Sequence, residues 1–206
     1  MHPISGVDME KRIYPIHLEV REPSDGQPAM LTGYAAVFNS LSENLGGFVE
    51  TIEPGAFRDT LSNNPDVRAT IDHEAGLKVL GRTKNGTLTL TEDENGLRVA
   101  IEPPDTQAGR DALILVRRGD LSQMSFAFTV PPGGDTWEVK ENGLPLRRLR
   151  AINLNGGDVS IVTNPAYPET SIEARDMGMA LANKPTSARA RTKGRGRLIE
   201  IERLRQ

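Results

Sequence analysis

The sequence predicts a mostly β fold with helices (α+β), in the form of an antiparallel β-barrel surrounded by short helices. The 206 residues include 14 Pro and 20 Gly, which favours short strands and turns over a helical bundle. Hydrophobic residues make up 37% of the chain, enough for one core of ordinary size. Apolar stretches recur along the chain and are separated by turn sequences such as Asn-Gly and Pro-Gly. These three features together are typical of a β-barrel or β-sandwich.

The first half of the chain predicts strands, one short helix and a hairpin. Each predicted strand is apolar at alternate or successive positions and ends at a turn sequence. The sequence Asp-Glu-Asn-Gly at 93–96 is a strong hairpin signal. Pro54 suits the first turn of the helix, where its missing N–H costs nothing. The predicted strands are 13–22, 30–39, 48–52, 67–73, 88–91 and 97–101, and the predicted helix is 54–61.

The second half predicts a longer helix and the remaining strands. Residues 106–116 carry apolar side chains at near-helical spacing, with Thr106 as the N-cap and Gly119 as the stop. The predicted strands that follow are 123–130, 136–139, 146–154 and 158–163. The turn sequence Asn-Pro-Ala-Tyr-Pro at 164–168 then closes the last strand.

The charge distribution divides the chain into units. Residues 176–206 hold eight Lys/Arg and three Asp/Glu, a balance of +5, whereas the whole chain is at −3. We expect a flexible N-terminal arm at 1–12, a folded domain at 13–175 and a basic, disordered tail or linker at 176–206. The tail is a solvated linker, a connection to a further segment, or a contact for nucleic acid or another acidic surface.

Several classes of site are excluded by composition. The chain has no cysteine, which removes disulfides, thiolate metal sites and cysteine nucleophiles. No run of about 18 apolar residues predicts a membrane span, and the N-terminus lacks the order of a signal peptide. The default expectation is a soluble cytoplasmic protein with no cofactor and no metal.

The candidate site centres on Ser125, in the apolar strand 123–130. Serine becomes a strong nucleophile only when a neighbouring base takes its proton. Of the three histidines, His73 is the best placed base, because it lies at the end of a predicted strand. An acid must then orient the imidazole. The candidate acids are Asp72, Glu74 and Asp158. For each residue the alternative is an ordinary structural role, and the spacing alone does not decide between the two.

Six short motifs, in this order, resemble the prohead maturation proteases of tailed bacteriophages. They are GYAAVFN (33–39), EPGAF (53–57), DHE (72–74), LGRT (80–83), LSQMSFAF (121–128) and DVSIVTNPAYP (158–168). They extend over about residues 13–175, which makes that segment the expected protease domain. The resemblance implies a fold similar to that of the herpesvirus assemblins, a β-barrel ringed by helices.

The resemblance also implies roles for the candidate residues. Ser125 would be the nucleophile and His73 the general base of a serine endopeptidase that acts through an acyl-enzyme. Asp158 matches the third position best, where many relatives have Glu, and Glu74 remains the competing acid. The N–H of Ala166, in the turn after the last strand, is the first candidate for an oxyanion donor.

The implied partners are the proteins of a maturing phage head. The expected substrates are the major capsid protein, a scaffold segment and the protease's own flanking segments. Processing would take place inside the immature capsid in the bacterial host cytoplasm, and the gene would belong to a phage or to an integrated prophage. A homo-oligomer is compatible with the family, no membrane partner is expected, and nucleic acid would be met only through the basic tail. The alternatives are a catalytically silent capsid-assembly scaffold protein with the same barrel and a β-barrel esterase of small molecules.

Overall fold

The computed structural model contains twelve β-strands, two α-helices and one 3₁₀-helix within the residues that it describes. Those residues are 9–14, 18–24, 28–74, 76, 78–139 and 143–163. The strands are β1 (Glu10–Tyr14), β2 (Glu19–Arg21), β3 (Met30–Val37), β4 (Val49–Ile52), β5 (Arg68–Ile71), β6 (Gly81–Arg82), β7 (Leu88–Glu92), β8 (Gly96–Ile101), β9 (Gln123–Phe128), β10 (Asp135–Glu138), β11 (Leu146–Leu149) and β12 (Asp158–Val162). The helices are α1 (Arg58–Ser62), the 3₁₀-helix (Thr83–Asn85) and α2 (Gln107–Arg118). The protein is mostly β with few helices, which confirms the predicted class. Among the described residues, no helix has the length and apolar character needed to cross a bilayer.

The strands form three sheets. Their orders are β1-β9-β12-β5-β6, β2-β3-β8-β7 and β10-β11-β4. None of the three closes into a barrel within the described part of the chain, so the predicted assemblin-like barrel is not observed there. The predicted antiparallel pairing is wrong at two places, because β12 is parallel to β5 and β11 is parallel to β4. Parallel partners lie far apart in sequence, and local apolar patterns carry no information about them.

Two local predictions are confirmed in detail, the hairpin at 93–96 and the helix that follows Thr106. In the hairpin, the Asp93 carboxylate accepts hydrogen bonds from two N–H groups of the turn. In α2, the Thr106 side chain accepts a hydrogen bond from the Gly109 N–H, and Gly119 ends the helix in the left-handed region at φ 80°. Both signals are formed by residues close in sequence, which explains why the sequence alone contains them.

Other boundaries differ from the prediction. The predicted strand 13–22 is two strands, and β1 begins at Glu10, within the segment 1–12 that the sequence predicts to be an arm. The predicted helix 54–61 begins only at the fifth residue of that range. Gly55 has a left-handed φ of 95°, so the chain makes a turn before it becomes helical.

An aromatic core lies on the inner face of β9. Met124, Phe126 and Phe128 alternate along the strand and are fully buried. The Phe126 and Phe128 rings stack with centroids 4.7 Å apart, and Phe57 packs edge-on against Phe126 at 5.9 Å. Because side chains alternate along a strand, this packing turns Ser125 to the opposite face of β9.

A buried ion cluster joins β1 to the three-stranded sheet. Its members are Glu10, Arg12, Glu50, Asp135 and Arg147. The fully buried Glu50 accepts a hydrogen bond from Arg12 Nε at 2.8 Å and one from an Arg147 guanidinium N–H at 3.1 Å. Arg147 also binds the Glu10 and Asp135 carboxylates, at 2.6 and 2.7 Å.

The arginines of the ion cluster keep Glu10 ionised. Burial raises the pKa of Glu10, but hydrogen bonds and charge from Arg147 and Arg12 outweigh burial and hold the pKa below its ordinary value of 4.5. The Glu10 carboxylate therefore stabilises the fold above about pH 4.5. That contribution is lost as the pH falls through the lowered folded-state value.

Replacing Arg147 with methionine should lower the free energy of unfolding by about 3–5 kcal/mol, because buried carboxylates would lose one of their two cations. Equilibrium urea unfolding measures the change. Arg148→Met is the matched control, since Arg148 is the next residue of β11, is more exposed and pairs with Glu138. Its effect should be much smaller. Equal losses in the two variants would contradict the stabilising role of the ion cluster.

Candidate active site

The candidate site lies on the outer face of the five-stranded sheet, opposite the aromatic core. β12 lies between β9 and β5. Its register places Ser160 opposite Ser125 on β9 and beside Thr70 on β5. Asp158 is two residues before Ser160, so alternation brings both side chains to this same face.

A continuous chain of hydrogen bonds links Ser125, His73 and Asp158. The Ser125 Oγ lies 2.7 Å from His73 Nε2. His73 Nδ1 lies 2.9 and 3.1 Å from the two Asp158 carboxylate oxygens. A carboxylate can only accept, so Nδ1–H donates to Asp158 and the neutral Nε2 accepts from the Ser125 hydroxyl.

A left-handed turn places His73 over the sheet. The predicted strand 67–73 is wrong at its last two residues, because β5 ends at Ile71. Asp72 and His73 have φ angles of 51° and 59°, in the left-handed region that non-glycine residues rarely adopt. The turn is held by the Asp72 N–H, which donates to the carbonyl of Ile161, and by the Asp72 carboxylate, which accepts from Thr163 N–H at 2.9 Å.

Two further hydroxyls hold the site in place, and the sequence reasoning missed both. Thr70 Oγ1 donates to the second oxygen of Asp158 at 2.7 Å. The fully buried Ser160 Oγ accepts from the backbone N–H of His73 at 2.8 Å. In the sequence, Asp-Val-Ser at 158–160 and Arg-Ala-Thr at 68–70 place each hydroxyl at an alternate position of its strand, and this is the signal for a shared face. The sequence does not show that the two strands pair, so it does not predict the contacts.

The environment of Asp158 favours its charged form. Burial raises the pKa of Asp158, but the hydrogen bonds from His73 and Thr70, with electrostatic attraction to His73 and Lys11, outweigh burial and keep the pKa below 3.8. Asp158 is therefore ionised at neutral pH. Its contribution to stability is present above about pH 3.8 and is lost as the pH falls through the lowered value.

The other residues predicted for the site lie elsewhere. Glu74 is exposed and pairs with Lys78 at 2.7 Å. The Asp72 carboxylate binds Thr163. Of the three candidate acids, Asp158 is thus the one that contacts His73. Ala166 lies outside the described residues.

The arrangement can move a proton from the Ser125 hydroxyl to the imidazole. Ser125 has no exposed surface, while the His73 and Asp158 side chains are 12% and 17% exposed. Solvent therefore has access to the His73 imidazole and the Asp158 carboxylate, whereas the Ser125 hydroxyl is shielded. No group of three or more His, Asp or Glu side chains suited to a metal ion occurs in the described part of the chain.

Comparison with known proteins identifies one family. The family model described as caudovirus prohead serine protease matches residues 16–185. The matched segment contains all three members of the hydrogen-bonded chain. Comparisons with curated proteins and with solved structures gave no significant match.

Ser160→Ala should lower the free energy of unfolding by about 1–3 kcal/mol, because it leaves the His73 N–H without its acceptor. Chemical denaturation followed by circular dichroism measures the loss. Ser122→Ala is the control, since Ser122 is an exposed serine just before β9. If both variants unfold at the same denaturant concentration as the unmodified protein, Ser160 does not support the His73 turn.

Proposed function

The chain belongs to the caudovirus prohead serine protease family, and we propose that it is an active serine endopeptidase that processes capsid and scaffold proteins, and itself, during prohead maturation. The observation that carries the proposal is the hydrogen-bonded chain from Ser125 through His73 to Asp158. A serine hydrolase needs a nucleophile, a base within hydrogen-bond reach of it and an acid that orients the base. The family itself is one of serine peptidases that act in the phage head.

The proposed reaction is acyl transfer. Ser125 Oγ attacks the carbonyl carbon of the scissile peptide bond while His73 Nε2 takes its proton. The C–N bond then breaks, and the imidazolium returns the proton to the leaving amine. A water molecule, deprotonated by His73 in its turn, then attacks the acyl carbon. The ester C–O bond breaks, the imidazolium returns the proton to Ser125 Oγ, and the product leaves with a new carboxylate. Asp158 holds the imidazole in the required tautomer and stabilises its positive charge.

The oxyanion formed during this reaction needs N–H donors. We place the first of them at Ala166, in the turn after β12. Support comes from the direction of the strand, since Val162 near its end pairs with Gln123, two residues before Ser125. The end of β12 therefore lies beside the nucleophile. Because proline fixes φ, Pro165 and Pro168 would restrict the backbone of this segment.

The proposed substrates are the major capsid protein, its scaffold segment and segments of the protease itself. Membership of a prohead protease family supports this proposal, because a prohead protease implies capsid proteins as substrates. The basic segment 176–206 would connect the domain to a scaffold segment, and a homo-oligomer is compatible with the site.

One observation favours a second candidate function. Ser125 has no exposed surface, as expected for a catalytically silent capsid-assembly protein that keeps the fold. The two functions differ in whether the protein can open enough for a carbonyl carbon to reach Ser125 Oγ.

A fluorophosphonate probe and a capsid-precursor cleavage assay decide between these functions. The unmodified protein should be labelled and should cut the precursor, whereas Ser125→Ala should do neither and should retain its fold by circular dichroism. Ser122→Ala should behave as the unmodified protein. An active Ser125→Ala protein would remove Ser125 from the mechanism. An unlabelled and inactive wild-type protein would support the silent scaffold.

Asp158→Asn should lower kcat by several orders of magnitude, on the order of 10⁴ by analogy with the same substitution in a chymotrypsin-type triad, because the amide no longer enforces the tautomer. Glu74→Gln is the matched control and should leave kcat within about twofold, since its exposed carboxylate pairs with Lys78. The measurement is the rate of precursor cleavage on a gel. A larger loss in Glu74→Gln than in Asp158→Asn would transfer the role to Glu74.

A further inference from the structure

A recess of about 220 Å³ lies beside His73 on the outer face of the five-stranded sheet. The residues that line it include Lys11, Arg68, Thr70, His73, Ala127 and Asp158. The imidazole that contacts Ser125 is therefore one of its walls. Since a water molecule occupies about 30 Å³ in the liquid, the recess has room for a side chain of several non-hydrogen atoms.

The sheet register brings a cation to each side of the recess. Lys11 on β1 pairs with Ala127 on β9, and Arg68 on β5 pairs with Asp158 on β12. Because β9 and β12 are neighbours, the two pairs form one row across four strands. Lys11 and Arg68 are about three strand spacings of 4.8 Å apart at the backbone, and the small Ala127 and the Asp158 carboxylate lie between them.

The floor of the recess is open because its residues are small. A Cβ at position 157 would collide with the Ala127 carbonyl oxygen, so Gly157 lets the chain lie directly against β9. The N–H groups of Gly156 and Gly157 donate to carbonyls of their own loop and of Asp66. They are not free to bind an anion, and the positive character of the recess comes from its two cations.

Neither cation forms a close ion pair in the part of the chain that the structure describes. Within the described residues, the side chains of Lys11 and Arg68 make no hydrogen bond and no ion pair. Lys11 attracts the Asp158 carboxylate and Arg68 attracts the Asp66 carboxylate, but the hydrogen-bonded partners of these carboxylates are other groups, His73 for Asp158 and the Arg82 guanidinium, at 2.6 and 2.7 Å, for Asp66. The described residues that line the recess thus carry two positive charges, on Lys11 and Arg68, and one negative charge, on Asp158.

We propose that the recess binds the carboxylate of a substrate Asp or Glu next to the scissile bond, and that Lys11 and Arg68 determine this specificity. The inference rests on the proposed function and says which peptide bonds the enzyme cuts. A substrate carboxylate would neutralise the excess positive charge, whereas a substrate Lys or Arg would meet two like charges. Because His73 lines the recess and also contacts Ser125, the residue bound there lies within about two positions of the scissile carbonyl.

The first test uses the full chain and a mixture of peptides from a digested bacterial proteome. Mass spectrometry of the products identifies the cleaved bonds. Asp and Glu should be enriched at one position within two residues of the cut. In a single peptide cleaved at such a site, Glu→Gln at that position should lower kcat/KM roughly 10–100-fold, the effect of losing hydrogen bonds to a charged group.

The second test changes the cations. The double variant Lys11→Met, Arg68→Met should cut the Glu and Gln peptides with similar kcat/KM while Ser125 still reacts with the fluorophosphonate probe. The double variant Lys11→Glu, Arg68→Glu should prefer a peptide with Lys at that position. Each single Met variant should lose part of the preference, which keeps the test valid if a double variant fails to fold. Arg98→Met is the control, because Arg98 is an exposed cation on β8 of another sheet.

The outcomes separate the inference from the function on which it rests. Ser125-dependent cleavage without enrichment of Asp or Glu would overturn the inference and leave the protease intact. An acidic preference that survives both double variants would also overturn it, because the preference would then arise elsewhere. Absence of both cleavage and labelling would overturn the proposed function itself.

Discussion

The position of β12 between β9 and β5 is the constraint on which the candidate site depends. Its antiparallel register with β9 sets Ser160 opposite Ser125, and its parallel register with β5 sets Ser160 beside Thr70. On the other face, Val159 and Ile161 are fully buried in the core. A slip of one residue would bring apolar side chains to the site and expose hydroxyls to the core. The same burial that stabilises the fold therefore specifies which side chains meet His73.

The ion cluster has a similar effect on β1, the edge strand of this sheet. Glu10 and Arg12 point towards the three-stranded sheet, where Arg12 binds the fully buried Glu50. Lys11 lies between them and points to the opposite face, into the recess. Because buried charges tolerate little displacement from their partners, the ion cluster fixes the register of β1 against β9. It thereby fixes the place of Lys11, whose carbonyl also accepts a hydrogen bond from the Arg12 guanidinium at 2.9 Å.

Much of the local structure follows from the sequence, while the arrangement of the sheets does not. The hairpin at 93–96 and the cap at Thr106 are formed by near neighbours in the chain, so their signals are local. The parallel pairing of β12 with β5 depends on residues almost ninety positions apart, as the bond between Thr70 and Asp158 illustrates. No periodicity in either strand specifies that partner. The sequence therefore predicts the strands and misses the open sheets that they form.

The same division applies to the site. The order of short motifs was enough to name Ser125, His73 and Asp158 as candidates, because a family resemblance carries long-range information that a single pattern lacks. The supporting hydroxyls of Thr70 and Ser160 were not identified, since serine and threonine are common in strands and only the register brings these two to the site. The left-handed turn at His73 was missed for another reason. Neither Asp nor His favours that conformation as glycine does, and the turn exists because partners on β12 and beyond it hold the backbone there.

The two cations of the recess also bear on the proposed chemistry. During acyl transfer the His73 imidazole must become positively charged, and Lys11 is near enough to act electrostatically on the adjacent Asp158. A substrate carboxylate in the recess would add its own negative charge to that of Asp158, beside the imidazolium that forms during acyl transfer. Recognition of an acidic residue and stabilisation of the transition state would then come from one interaction, so the preference would appear in kcat as well as in KM.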